Sequence, residues 1–407
     1  MRVIPISSGK GGVGKTTLAL NFALSLARHG RTILVDLDTG TSSIRNCLDA
    51  PVQRDLYHFF KKGALLGDCV TPLPAALDPR REYANFGFVA GPRHLIEDIT
   101  NFGPDRRDQL IDAINGLQAD YVVLDLRAGL DQGVVDFLPQ HNSGILVFTP
   151  HMPAATMAAS DIVKAILFRR LRRMFRRGAR IYAEMGEISP ELVGAAIDRA
   201  EDVYDESVLN LDGFLAEFQG VLGPRHPALR RVREAVESFV VYYVLNLFNG
   251  VRESFDTAVK PFVSNLAETV SARLSVVNLG WVVAHEDINL GGQRRVPALL
   301  AATHGKAAAA RPDAAAAELQ RLATLYLGRP GPPKATGAVP AKRVRAAPPD
   351  SDRYLEAQLD TLAHMQEDLK GASYRDNFKY IAYRSLHLIR SRAPREFGEP
   401  RLLKPAR

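Results

Sequence analysis

Short apolar runs rich in β-branched residues fall at 3–7, 32–35, 86–89, 121–124 and 145–148, and stretches of helical spacing lie between them. Most are bounded by Gly, Asp or Pro. Runs of this kind predict strands of a parallel sheet covered on both faces. Between the first two, residues 16–29 carry apolar positions at helical spacing and stop at Gly30, so strand, helix and strand form a βαβ unit. The strand pattern resumes at 239–245 and 279–284. The region 168–238 has no strand signal and predicts helices, among them 190–204 and 228–237, as an insertion into the sheet domain. Residues 314–327 predict a closing helix. Residues 328–349 are rich in Pro, Ala and Lys/Arg without an acidic residue, which predicts an extended basic linker. Beyond it, Leu355, Leu359, Leu362 and Leu369 share one helical face. Gly371 interrupts, and Tyr374, Phe378, Ile381 and Leu388 mark a second amphipathic helix. The expected organisation is a sheet domain over 1–327 with its insertion at about 168–238, a linker over 328–350 and a small helical appendix over 351–407.

Composition adds limits. Of 407 residues, 46% are hydrophobic and 24% charged, enough to bury a sizeable core. No run of about 18 apolar residues occurs, so no membrane-spanning helix is expected. Residues 1–8 read as a strand leading into a glycine loop, without a basic-then-apolar leader, which points to a cytoplasmic protein. Cys47 and Cys69 lack CxxC spacing and read as free thiols, which argues against a metal or iron–sulfur carrier. His94, His151 and His285 stand apart from any carboxylate or cysteine cluster and are not read as metal ligands. The net charge of +7 favours acidic partners without distinguishing nucleic acid from anionic lipid. In 161–177, Ile162, Val163, Ile166, Leu167, Leu171, Met174 and Phe175 share one face. Arg169, Arg172, Arg173 and Arg176 lie opposite, with Arg170 and Arg177 at the margins. Two readings stay open here: a core-packed helix with a solvated basic face, or contact with a membrane surface or a phosphate backbone.

The chemistry concentrates in Gly9-Lys10-Gly11-Gly12-Val13-Gly14-Lys15-Thr16-Thr17, a GxxxxGK[ST] loop that follows a strand and opens a helix. Glycines let the main chain wrap phosphate oxygens, and the amides and the helix N-terminus supply partial positive charge. The predicted cradle is Gly11, Gly12, Val13, Gly14, Lys15, Thr16 and Thr17. Lys15 is the expected bridge between β- and γ-phosphates, and the Thr16 hydroxyl the expected Mg²⁺ ligand.

The form KGGVGKTT, with Lys10 near the start of the loop, resembles the deviant Walker A motif of the MinD/ParA family. The resemblance implies a P-loop NTPase fold, a three-layer α/β sandwich on a mostly parallel sheet, with ATP and Mg²⁺ as ligands. It implies an ATP-dependent homodimer in which Lys10 reaches the partner's nucleotide, so that Lys10, Lys15 and Asp38 are the catalytic candidates. Asp36-Leu37-Asp38 resembles switch I, with Asp38 orienting the attacking water and Asp36 supporting the metal shell. Asp125-Leu126-Arg127-Ala128-Gly129 resembles Walker B and switch II, with Asp125 on the Mg²⁺ water shell and the Gly129 amide on the γ-phosphate. The family usually has prolines where Arg127 and Ala128 stand. Asn246 matches the asparagine that reads adenine, and Thr149-Pro150 precedes a helix that lies at the family's dimer contact. Flagellar-number regulators of the family carry an extension before the loop, which this sequence does not show.

The implied function is an ATPase acting as a dimerisation switch that positions a cellular machine: a division site, a polar or flagellar apparatus, or a partitioning chromosome. The alternatives are a non-hydrolysing ATP-binding scaffold and an ATP-dependent assembly enzyme on the same fold. Expected partners are a second copy, an unidentified protein, and an anionic membrane or DNA through 161–177 or the C-terminal tail. Peripheral attachment at the inner face of the membrane follows from the lipid alternative.

Overall fold

The computed structural model describes residues 1–38, 43–94, 103–130, 132–139, 141–175, 181, 190–202, 210–301 and 351–391. The strands are β1 (Arg2–Ser8), β2 (Thr32–Leu37), β3 (Thr71–Pro72), β4 (Phe86–Val89), β5 (Tyr121–Ala128), β6 (Asn142–Phe148), β7 (Val240–Phe248) and β8 (Ser275–Val283). The helices of the first half are α1 (Lys15–Ala27), α2 (Ser43–Cys47), α3 (Leu56–Lys62), α4 (Pro104–Asn115), α5 (Gln132–Val135) and α6 (Pro153–Met174). Then come α7 (Pro190–Glu201), α8 (Leu211–Leu222), α9 (Pro227–Glu237), α10 (Val251–Ser254), α11 (Lys260–Thr269), α12 (Glu286–Arg294), α13 (Ala298–Ala301), α14 (Ser351–Asp368) and α15 (Tyr374–Ser391).

Among the described residues the sheet has eight strands in the order β3-β4-β2-β5-β1-β6-β7-β8. Only the short β3 runs antiparallel to its neighbour; the other pairings are parallel. Every position of β2, β4 and β6 is buried, as expected of strands with helices on both faces. One helical layer packs α1 against α15, and a second packs α6 against α11. The expected three-layer α/β architecture is the one observed.

The strands outrun the apolar runs that predicted them. β2 continues through Asp36 to Leu37, β5 through Asp125 to Ala128, and β7 through Asn246 to Phe248. Polar residues at these strand ends are held by the ladder, which is indifferent to side-chain polarity. β8 starts at Ser275, earlier than 279, because Ser275 and Asn278 break the apolar pattern without breaking the pairing to β7. The insertion has no sharp start at 168: α6 runs unbroken across that position to Met174. The expected closing helix at 314–327, the linker 328–350, Arg176, Arg177 and the tail beyond 391 lie outside the described residues.

The C-terminal helices are part of the main core. Leu362, Met365, Phe378, Ile381, Ala382 and Leu386 are buried in the same apolar cluster as the sheet. Gly280 of β8 lets α15 approach closely: a Cβ there would come within 2.7 Å of Ile381 Cγ1. Polar side chains of this pair also meet the outer edge of β8. The Tyr354 hydroxyl oxygen accepts from the Val276 N–H at 2.9 Å, Gln358 Nε2 donates to the Val276 carbonyl at 3.1 Å, and Arg384 Nη2 donates to the Asn278 carbonyl at 3.0 Å. The apolar face of α15 is therefore taken up by the sheet: of the two uses open to the amphipathic helix of the tail, packing and lipid contact, the structure shows packing.

Candidate functional site

The loop 9–14 leaves the C-terminal end of β1 and turns into α1. Gly14, the residue before the helix, has φ of 82°, and Gly12 has φ of 80°, conformations an L side chain resists. A Cβ at Gly11 or Gly12 would meet nothing within 4 Å, so the main chain there lines open space. The other side of the loop is tightly braced. A Cβ at Gly9 would lie 2.4 Å from the backbone of Ala158 in α6, and one at Gly14 would lie 2.2 Å from Nδ2 of Asn246.

Lys15 is buried, and its Nζ lies 2.7 Å from Oδ1 of Asp125. Asp125 is fully buried; burial raises its carboxyl above the usual range, and Lys15 and the Thr16 hydroxyl oppose that rise. Its Oδ2 is buried without a hydrogen-bond partner. Asp36 is the direct ladder neighbour of Asp125, one strand over. It accepts from the amides of Asp38 at 3.2 Å and Ile44 at 3.1 Å. Burial first and the Asp125 charge second push its carboxyl up to about 7. Two buried carboxylates thus face a single lysine, and one oxygen is orphaned. This donor set fits a hard divalent cation such as Mg²⁺, whose charge would relieve both. Thr16, Asp36 and Asp125 are the residues that would hold it, directly or through water.

The other expected residues fall into two groups. Asp38 stands at the end of β2 beside this cluster, half-buried. Thr17 is half-buried in the first turn of α1. Lys10 is exposed on the outer rim of the loop, with Asp161 of α6 among the charges it influences. Asn246 donates from Nδ2 to the Val13 carbonyl at 2.7 Å, so it braces the loop from below. Gly129, with φ of 101°, donates its amide to the Ser8 carbonyl at 2.9 Å. Proline has no N–H to give a ladder. With Arg127 and Ala128 in those places, β5 stays paired to β1 as far as Ala128 opposite Ser8. The amide expected at the γ-phosphate is thus bonded within the sheet in this structure.

Sequence reasoning missed two anchors. Arg45 of α2 pairs with Asp55 at 2.5 Å and donates to the Gly91 carbonyl at 3.1 Å, tethering α2 to the segments before α3 and after β4. Asp136, just after α5, is buried between Arg107 and Arg169. Neither has a local sequence signal, because each unites distant segments.

The basic face of α6 is also reassigned. Arg169 pairs with Asp136, and Arg172 with Asp198 at 2.8 Å and with Glu201. Arg170 donates to the Ala235 carbonyl at 2.7 Å, and burial pulls its guanidinium down to about 10. Arg170 and Arg172 thus fasten the insertion to α6, and Arg169 fastens α6 to the residue that follows α5. Among the described residues no group of three or more His, Cys, Asp or Glu side chains is placed to hold a metal ion by itself, and no helix is long and apolar enough to cross a membrane.

Fold and site together define a P-loop nucleotide-binding protein. Residues 4–254 match the family model described as the CobQ/CobB/MinD/ParA nucleotide binding domain. The chain belongs to this family. It is 31% identical over 157 residues to a chloroplastic septum site-determining MinD homologue of Arabidopsis thaliana, across 38% of this chain and 47% of that one. It is 25% identical over 248 residues to the septum site-determining protein MinD of Helicobacter pylori, across 59% and 87%. The chain thus spans about half the length of the first of these relatives. Its fold is also similar to the Pyrococcus horikoshii MinD structure complexed with Mg-ADP, at 16% identity and a TM-score of 0.42 over 75% of this chain and 90% of that one.

Proposed function

We propose that the protein is an Mg²⁺-dependent ATPase whose nucleotide state controls its own dimerisation, in the service of positioning a cellular machine. The observation that carries this is the buried Lys15–Asp125–Asp36 cluster at the mouth of a KGGVGKTT loop, with Lys10 exposed on the rim. In this reading the amides of Gly11 to Thr17 and the Lys15 ammonium hold the phosphates. Lys15 exchanges its contact with Asp125 for the β- and γ-oxygens. Mg²⁺, when bound at Thr16, Asp36 and Asp125, supplies charge neutralisation at the phosphate oxygens. Asp38 accepts a hydrogen bond from the attacking water and holds it in line. Lys10 extends from the rim toward the nucleotide of a second copy, where it offsets charge that develops during transfer. The Asn246 carboxamide, already on the loop, presents its oxygen toward the base. A dimer then offers a surface to an unidentified protein partner that the monomer lacks. The setting is cytoplasmic, at the inner face of the membrane or on DNA.

The test is nucleotide affinity, turnover and ATP-dependent dimerisation of the wild type beside Lys15→Ala and Lys10→Ala. Lys15→Ala is expected to lose ATP binding. Lys10→Ala is expected to keep binding and lose dimerisation and turnover. Unchanged dimerisation in Lys10→Ala refutes the cross-subunit role.

A second reading, the non-hydrolysing scaffold, is favoured by the Gly129 amide being bonded to Ser8. It predicts ATP-dependent dimers with no phosphate release, which the same turnover measurement separates from the first.

A further inference from the structure

Asp136 follows α5 directly and so ends the stretch that begins with Asp125–Gly129. Its carboxylate is fully buried. Arg107 of α4 approaches Oδ2 through Nη1 at 2.5 Å, and Arg169 of α6 pairs with Oδ1 through Nη2. A buried carboxylate is expensive unless paired, and here arginines from two separate elements converge on one. Arg107 is 7% exposed, whereas Arg169 is 23% exposed. The same α6 lies against the phosphate loop, where Ala158 abuts Gly9. About 16 Å of helix separates Ala158 from Arg169. One helix therefore touches the start of the loop and, through Arg169, the carboxylate that follows α5.

We infer that Asp136 is a positioning residue: held by Arg107 and Arg169, it ties the switch II stretch to α6, so that a γ-phosphate signal and the face α6 presents change together. The inference rests on the nucleotide reading above. Asp136 touches neither phosphate nor water in this role and acts only through the segment it anchors.

The test compares full-length wild type with Asp136→Asn for Mg-ADP affinity, Mg-ATP affinity, turnover and ATP-dependent dimerisation. A merely structural residue would lower all four together. Positioning predicts near wild-type ADP affinity with a loss on the order of tenfold in the ATP-specific responses. Should Asp136→Asn fail to fold, Arg169→Gln carries the same test, because Arg107 still pairs with Asp136 and no buried charge is left alone. A folded variant that responds to ATP like the wild type overturns the inference. Parallel loss of ADP and ATP affinity also overturns it, by marking a packing defect. Wild-type protein without Mg-nucleotide affinity sinks the nucleotide reading first and the inference with it.

Discussion

Asp36 carries a cost that the nucleotide-free fold bears by itself. In an unfolded chain its carboxyl ionises near pH 4. In the fold, burial and the adjoining Asp125 hold the proton up to about 7. The folded state thus binds more protons across this window, and stability falls as pH rises from about 4 to about 7. Asp36→Asn removes that charge; its oxygen keeps one of the two backbone amides, and the loss of the other is smaller than the relief of a buried charge beside Asp125. In the absence of nucleotide and metal it should melt a few degrees above wild type at pH 8. The gap should close toward pH 5; thermal scans over that range decide it. The opposite sign holds at Lys15. Lys15→Ala leaves Asp125 buried without its cation, which should cost about 3–5 kcal/mol in urea unfolding. The double change Lys15→Ala with Asp125→Asn should recover a large part of that. If the two single effects simply add, Lys15 and Asp125 are not coupled and the 2.7 Å contact is energetically idle.

At the scale of elements, the C-terminal helix pair shows what an amphipathic pattern tells and what it leaves open. The apolar face of 374–391 was legible in Tyr374, Phe378, Ile381 and Leu388, but nothing local named its partner, the edge strand β8. An exposed edge is a template for association between chains, and here Tyr354, Gln358 and Arg384 occupy it. Tyr354→Phe keeps the ring and strands the buried Val276 N–H, which should cost about 1–3 kcal/mol by denaturant unfolding. A cost near zero would mean that water satisfies the edge and the hydroxyl is dispensable. The phosphate loop and the parallel strands were readable for a different reason: their signals are local, a fixed glycine spacing and short apolar runs. The Arg107–Asp136–Arg169 cluster and the Gly129–Ser8 bond were not, since each depends on a pairing between segments far apart in the chain. Asn246 lay between these cases. Its place at a strand end was visible, whereas its bond to the Val13 carbonyl required the fold.

Across the whole molecule, the distribution of charge decides where an acidic surface would be met. The net charge is +7, yet segments 302–350 and 392–407 alone hold 13 Lys/Arg against 5 Asp/Glu. The remainder of the chain is close to neutral, and the arginines of α6 that looked free in the sequence are engaged with Asp136, Asp198, Glu201 and the Ala235 carbonyl. Long-range attraction to a polyanion scales with the cations left unneutralised and weakens with salt. Retention on heparin should therefore depend on the basic stretch that contains Lys342, Arg343 and Arg345 far more than on α6. Changing these three to Gln should lower the eluting salt clearly, while Arg172→Gln should elute with the wild type. The reverse result would place the acidic-partner surface on α6, and the ion pairs that fasten the insertion would then have to open when that partner binds.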